Sequence, residues 1–561
     1  MPLTREVYLI QNLSQFYELE KQGVKKNYVT DVYSTYIENP DKIDYLYHNV
    51  SQSSQRLEFV HNASLNWYKN EFGEDVIQRN GISIGPIIAK NVAASFANDY
   101  RNYLAIKKTL DKCNTIYIDK HAPISFYRVS KVFKHQIKWF DAANRLSDNT
   151  SSPIRAQINH YPKIHKLSFF ARLLQKPIKF FIKNKIIIFS DWTYGDVFLK
   201  HKKCLSFNRI NLLQGCYLKY NESSFEYSES KYIFPDTLPK GVIDIRNMVK
   251  HKEWDDNLVC LFESTLQRVY SDSRLKLRRA YAIYKELFSY YKPDSVIFPT
   301  ETYFAHLIAL QIAKTMHIKT ILALDGYPFL KNTSGTFPLH RSNKSTFDYY
   351  IAFGEYVRKL YRKYEYILDR QILVYQSPLV RKIKQREVES SLIIIMAFYP
   401  NVSNPDARWD KRFSITLDVV DLMVKMGEKQ IVIKVKNGFS IELDMLMYEK
   451  YLNKLTYGPE VNIKVVAGEF PEIVHKAKMV VGQISTALFE SIVSRVPYFI
   501  YEPYDAGRID LYFDEYHYNT ARDIRQLKNN ISAKNFNSPY VREFFMNGCD
   551  LEEFKLEKEL L

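Results

Sequence analysis

The sequence predicts an α/β fold in two doubly wound series of parallel strands, with helical additions in the N-terminal half. Three observations predict it. Short apolar runs bounded by turn residues alternate with segments of helical apolar periodicity along most of the chain. A charged stretch, Arg381-Lys-Ile-Lys-Gln-Arg-Glu-Val-Glu389, divides two such series. Lys478 to Pro503 reads as one β-turn-α-β unit: an apolar run to Gly482, a polar turn through Ser485 and Thr486, a helix carrying Leu488, Phe489, Ile492 and Val493, and a buried strand Tyr498 to Tyr501.

In chain order, Glu6 to Gln11 reads as a strand, followed by a helix through Leu13, Phe16, Tyr17 and Leu19 and an extended Tyr28 to Tyr36. Leu57 to Leu110 is helical, broken at Gly81-Ile-Ser-Ile-Gly-Pro86, where an ordinary connection and a substrate-facing turn are both open. Thr115 to Asp119 is a strand, and a helix follows through Tyr127 and Val132. From Arg155 to Lys185 no acidic residue occurs, while eight cations interleave with Phe169, Phe170, Phe180 and Phe181. That segment fits an anionic membrane surface, where each charge contributes about 1 kcal/mol, and it equally fits a solvated basic helix; Pro177 limits any continuous helix.

Lys185 to Ser190 is a strand ending at Asp191, and Cys204 to Asp256 is irregular and polar. A helix from Leu261 to Tyr291 stops at Pro293. Ser295 to Phe298, a helix from Ala305 to Met316 and Thr320 to Leu324 form a β-α-β unit. Parallel strands present their carboxyl ends together, so Glu301 and Asp325 are expected at one sheet edge. Two carboxylates at one cleft suit glycosyl transfer, with Asp325 as nucleophile or ion stabiliser and Glu301 as acid/base; helix capping and a turn role are the structural alternatives. Asp348 to Gly354, Glu355 to Tyr364 and Gln371 to Tyr375 complete the first series. The second runs from Ser391 through strands at Leu392, Gln430 and Val461 to the Lys478–Pro503 unit, and helical segments follow Tyr504. The boundaries predicted are 1–380, 391–515 and a helical 516–561 that packs back on the lobes.

The Lys478–Pro503 unit carries the binding prediction. Its helix N-terminus offers free backbone N–H groups and a partial positive charge to a phosphate, beside the hydroxyls of Ser485 and Thr486. Glu490 lies one turn deeper, placed to meet sugar hydroxyls, and Lys434 and Lys436 at the end of the Gln430 strand point charge at the same crevice. Ser485 as a plain N-cap and Glu490 as a solvated helix residue are the alternatives.

Composition bounds the partners. A chain of 561 residues exceeds one ordinary core, and a formal charge of +17 favours an acidic partner. No base-reading or single-strand-stacking motif selects nucleic acid. Five scattered cysteines form no CxxC pair, no apolar run is long enough to span a bilayer, and the first residues lack a secretory core. A cytoplasmic location is expected, peripheral on the inner face of the cell membrane if residues 155–185 dock there. Phosphate-loop, Gly-x-Gly-x-x-Gly and His-Glu-x-x-His motifs are missing, as is Asp-x-Asp, so neither a metal nor a bound cofactor is expected. A nucleotide leaving group then needs compensation from helix ends and lysines.

The run Gly482-Gln-Ile-Ser-Thr-Ala-Leu-Phe-Glu490, with Val496-Pro-Tyr-Phe-Ile-Tyr-Glu-Pro503 and Asp348-Tyr-Tyr-Ile-Ala-Phe-Gly-Glu355, resembles glycosyltransferases of the GT-B architecture that build bacterial capsule and lipopolysaccharide. The resemblance covers about residues 290 to 505 and implies two Rossmann-like lobes facing across a cleft. It implies a sugar nucleotide, CMP- or UDP-linked, held by Gln483, Ser485, Thr486 and Glu490, and a glycan or lipid-linked acceptor on the N-terminal side. Asp325-Gly326 stands where many relatives have histidine-glycine, and it is similar to the Glu-Asp-Gly signature of retaining Kdo transferases, with Leu324 in place of the Glu. A sugar-nucleotide epimerase of the same plan and a non-catalytic membrane-associated scaffold are the competing expectations.

Overall fold

The computed structural model describes residues 4–24, 27–31, 35, 39, 41–47, 50, 54–70, 72–140, 186–189, 204–207, 228–238, 254–299, 304–323, 347–364, 367–375, 384, 386–387, 390–398, 411–436, 441–453, 455–503 and 520–536. These residues form three parallel sheets.

The first sheet is built by β1 (Thr4–Ile10), α1 (Leu13–Lys21), β2 (Asn27–Thr30), β3 (Ile43–Tyr45), α2 (Ser54–Asn66), α3 (Ile84–Leu110), β4 (Cys113–Asp119), α4 (Ile124–Val132) and β5 (Ile137–Phe140). Its strand order is β3-β2-β1-β4-β5, parallel throughout. The chain winds outward from β1 to β3, then returns to the other side of β1 through β4. This is a doubly wound sheet with its switch point between β1 and β4. The sequence predicted two series, and this sheet adds a third.

The second sheet comprises β6 (Ile186–Phe189), β7 (Cys204–Phe207), β8 (Ser295–Phe298), β9 (Lys319–Ala323), β10 (Tyr349–Phe353) and β11 (Ile372–Tyr375), ordered β11-β10-β9-β8-β6-β7. Helices α5 (Ser228–Ile233), α6 (Asp256–Tyr291), α7 (Phe304–Thr315) and α8 (Glu355–Tyr364) accompany it. Here β8 and β9 are neighbours in register, with Phe298 opposite Leu322. The strand β7 lies in a stretch expected to be irregular.

The third sheet holds β12 (Leu392–Met396), α9 (Lys411–Lys425), β13 (Gln430–Lys434), α10 (Ile441–Leu452), β14 (Asn462–Val466), α11 (Pro471–Val474), β15 (Ala477–Gly482), α12 (Thr486–Ser494), β16 (Tyr498–Tyr501), β17 (Thr520–Ala521) and α13 (Ile524–Ser532). Its order, β14-β13-β12-β15-β16-β17, is 3-2-1-4-5-6 in chain sequence, the doubly wound arrangement of dinucleotide-binding sheets. The switch point falls between β12 and β15.

Alternation along β12 explains how this sheet is sandwiched. Ile393 and Ile395 pack with Val419, Val420, Met423 and Leu527 on one face. Ile394 faces the other way, into a core that also takes in Val480, Leu488, Phe489 and Tyr498 and continues through the buried side chains of the first two sheets. Strands buried on both faces read as unbroken apolar runs, which is why their positions are plain in the sequence.

Two long helices bind the first sheet to the second. Helix α6 starts at Asp255, whose side chain accepts from the Leu258 N–H at 2.8 Å, and ends at Lys292 in a left-handed conformation (φ 46°) before Pro293. It packs against α3, α4 and α7. The Gly81–Pro86 segment is the ordinary connection: Gly81 has φ 76°, and a Cβ there would lie 2.6 Å from Thr315 Cγ2 of α7. The Ser83 N–H donates to Gln311 Oε1 on the same helix at 2.6 Å.

Among the described residues, no helix is long and apolar enough to cross a membrane. The basic segment 155–185, Asp191, Glu301 and Asp325 lie outside the described residues.

Candidate functional site

At the switch point of the third sheet, β15 ends at Gly482, and the chain turns through Gln483 and Ile484 into Ser485, the N-cap of α12. Gly482 is required by close approach. A Cβ there would stand 2.5 Å from the Tyr498 hydroxyl and 2.8 Å from Met396 Cβ, the side chains of the flanking strands. The buried Tyr498 then fixes the turn by donating its hydroxyl to the Gln483 carbonyl at 2.6 Å.

Glu502, just past the end of β16, holds the turn from the other side. Its Oε1 accepts from the Ile484 N–H at 2.9 Å and its Oε2 from the Gln483 amide at 3.4 Å. Burial pushes its carboxyl up to about 7, although those two hydrogen bonds and the charge of Arg522 pull the other way. Gln483 is therefore tied into the turn by Tyr498 and Glu502.

Ser485 occupies the N-cap with extended backbone (φ −158°, ψ 177°), yet its hydroxyl makes no capping bond to the helix. It hydrogen-bonds to Tyr498 instead, while the Ser485 carbonyl accepts from the Leu488 N–H at 3.0 Å. The N–H groups at the start of α12 have no intrahelical partner, as at any helix start, and the backbone dipoles favour an anion there. The plain N-cap alternative thus fits the position of Ser485 and not its side chain.

Glu490 is 8% exposed and is no solvated helix residue. Burial first, and the neighbouring charge of Glu469 second, push its carboxyl up to about 8, against the pull of Lys434. The shift favours the protonated form towards neutral pH, and a carboxyl in that form both donates and accepts hydrogen bonds. Lys434, the last residue of β13, is 3% exposed, and its ammonium donates to the Val435 carbonyl at 2.5 Å. Burial pulls its pKa down, opposed by Glu469 and Glu490. Neither Lys434 nor Glu490 makes an ion pair among the described residues. Lys436, two residues on, is exposed.

The carboxyl edge of the third sheet therefore gathers Lys434, Glu469 and Glu490 in one electrostatic cluster, and Gln483, Ser485, Tyr498 and Glu502 in one hydrogen-bonded turn. Glu469 and Glu502 were not predicted. Each follows the end of a strand, Val466 and Tyr501, which is the signal that identifies them. Among the described residues, no group of His, Cys, Asp and Glu is placed to hold a metal ion.

In the second sheet the chain leaves β8 at Phe298 and β9 at Ala323, on adjacent strands. Glu301 and Asp325 follow those ends in sequence.

No protein-family model and no curated protein matches the chain. Among solved structures it is similar to the UDP-GlcNAc 2-epimerase from Methanocaldococcus jannaschii, at 12% identity and a TM-score of 0.34 over 63% of this chain and 92% of that one. It is also similar to the wall teichoic acid polymerase TagF, at 13% identity and a TM-score of 0.30 over 50% of this chain and 71% of that one. At these scores the fold rests on the strand order and register described above.

Proposed function

We propose that the chain is a glycosyltransferase of the GT-B type that uses a nucleotide sugar as donor and a surface glycan or lipid-linked sugar as acceptor, without a metal ion. The observation that carries this reading is the third sheet: a 3-2-1-4-5-6 order with a glycine-opened turn and a helix N-terminus at its switch point. In open α/β sheets the ligand lies outside the carboxyl ends of the strands at that point, and a helix start there suits a phosphate. Glu490, protonated and one turn into the helix, supplies both a donor and an acceptor to the ribose or sugar hydroxyls beside the phosphate.

The catalytic assignment extends from the sequence. Asp325 stands at the anomeric carbon and Glu301 serves as acid/base, the acceptor entering from the N-terminal side. For a retaining course, the Asp325 carboxylate displaces the nucleotide, whose phosphate leaves with the electron pair of the broken C–O bond. The acceptor hydroxyl then attacks the same carbon, its proton passes to Glu301, and Asp325 departs. The Asp325-Gly326 pair favours a CMP-linked acidic sugar of the Kdo kind; UDP-linked sugars are the other donor class.

Asp325→Ala is expected to abolish transfer from a CMP- or UDP-linked sugar while nucleotide affinity stays within about two-fold. Undiminished turnover in that variant removes Asp325 from the mechanism. Conversion of UDP-GlcNAc incubated with the protein and no acceptor would replace the transferase reading with that of an epimerase.

A further inference from the structure

The turn at the switch point of the third sheet is held by a residue outside the set assigned to the nucleotide. We propose that Glu502 is a positioning residue for the nucleotide phosphate: by accepting from the Ile484 N–H it fixes the geometry of the anion-binding start of α12, without itself touching the ligand. This inference rests on the nucleotide reading of that turn.

Strand alternation places the carboxyl. Tyr498 and Ile500 face the side of the sheet that packs Leu488 and Phe489 of α12, whereas Phe499 and Tyr501 face the side of Val419 and Leu527. Glu502 continues the first set one step past β16, so its side chain stands beside the turn that opens α12. Its own N–H donates to the Ala521 carbonyl of β17 at 2.9 Å, which fixes the backbone from which the carboxyl reaches.

Among the described residues, both hydrogen bonds of that carboxyl go to the turn: Oε1 takes the Ile484 N–H at 2.9 Å and Oε2 the Gln483 amide at 3.4 Å. At 7% exposed, Glu502 is committed to the turn and not to the open crevice. Ile484 immediately precedes the N-cap, where no intrahelical acceptor is available to its N–H, and the carboxyl sets the direction of that group. The direction matters because Ser485 follows with extended backbone (φ −158°, ψ 177°) and aims the N–H groups of the first turn. A phosphate at a helix start accepts from those groups, and such bonds weaken steeply when donor and acceptor are misaligned. Tyr498 secures the carbonyl side of the turn through Gln483, and Glu502 secures the N–H side, so loss of Glu502 frees one side alone.

The test is calorimetric titration of the full chain with CMP, UDP, GDP and CDP at a temperature where circular dichroism shows every variant folded, with hydrogen exchange at the Ile484 amide followed in the ligand-free proteins. Glu502→Gln keeps the reach and an acceptor oxygen without the charge, whereas Glu502→Asp keeps the charge and is one methylene short. The Gln variant is expected to bind within about three-fold of wild type and the Asp variant to lose about ten-fold or more, with faster exchange at Ile484 in the Asp variant alone. Ile531→Ala, which loosens the same sheet from its other face, is expected to leave affinity within about two-fold, separating positioning from stability. Equal affinity in wild type and Glu502→Asp, a loss of about ten-fold in Glu502→Gln, or the same loss in Ile531→Ala overturns this proposal and leaves the nucleotide reading standing. Binding of no nucleotide by the wild-type chain overturns both.

Discussion

Glu490 concentrates the electrostatics of the candidate crevice in one titration. Its folded pKa of about 8 exceeds the ordinary glutamate value of 4.5, so between those two values the folded state keeps a proton that the unfolded chain has released. The stability this contributes is complete below pH 4.5 and lost as pH rises through about 8. Glu502, raised to about 7, adds a loss of the same sign. Glu490→Gln keeps the shape and removes the ionisation. The variant is therefore expected to show a shallower fall in thermal midpoint from pH 5 to pH 9, and to be the more stable protein at pH 9 by about 1–3 kcal/mol. Parallel pH profiles for the two proteins would mean that Glu490 is not held in a desolvated site. Its position one turn into α12 was legible from its spacing after Ser485 and Thr486. Its protonation was not, because desolvation comes from elements distant in sequence: β13 brings Lys434, and the loop after β14 brings Glu469.

At the scale of elements, β15, α12 and β16 form one unit whose turn depends on a missing side chain. Gly482→Ala places a methyl against the Tyr498 hydroxyl and Met396 Cβ, and both belong to well-packed strands that cannot yield freely. The expected cost is about 1–3 kcal/mol in chemical denaturation. In a Tyr498→Phe background the same substitution is expected to cost less, because one of its two clashes is gone; strictly additive losses would show that the turn adapts in another way. This unit was readable within one residue at most boundaries, since buried apolar runs, Gly482, the Ser485 cap and Pro497 are all local signals. The partners that hold it were not readable. Tyr498 reaches Gln483, and Glu502 reaches Ile484, only because β15 and β16 pair in parallel with Gly482 opposite Ile500. The strand β7 escaped notice for a related reason: Cys204-Leu-Ser-Phe207 is too short to stand out without its partner β6.

Over the whole molecule, alternation of strands and helices announces parallel sheets, and the charged stretch after Arg381 marks where the third sheet begins. The number of sheets is a different matter. Residues 1–140 and 186–375 alternate in the same way, and only strand pairing reveals that β1 to β5 close their own sheet, with their own switch point. The extra sheet is joined to the second by α3 and α6, which is how a buried Asp99–Arg128 pair comes to lie among helices that no local pattern associates. The third sheet is the part of the molecule on which the functional account stands, because among the described residues it alone combines the 3-2-1-4-5-6 order with a glycine-opened helix start. Titration calorimetry with CMP, UDP, GDP and CDP, on wild type and on Ser485→Asp, tests that account most directly. Aspartate caps a helix as well as serine does and sits comfortably at its positive end, but it repels a phosphate bound there. At least one nucleotide is expected to bind the wild-type chain, with affinity lower by about ten-fold or more in the variant, compared at a temperature where both proteins are folded. Binding of no nucleotide, or equal affinity in both proteins, would contradict it.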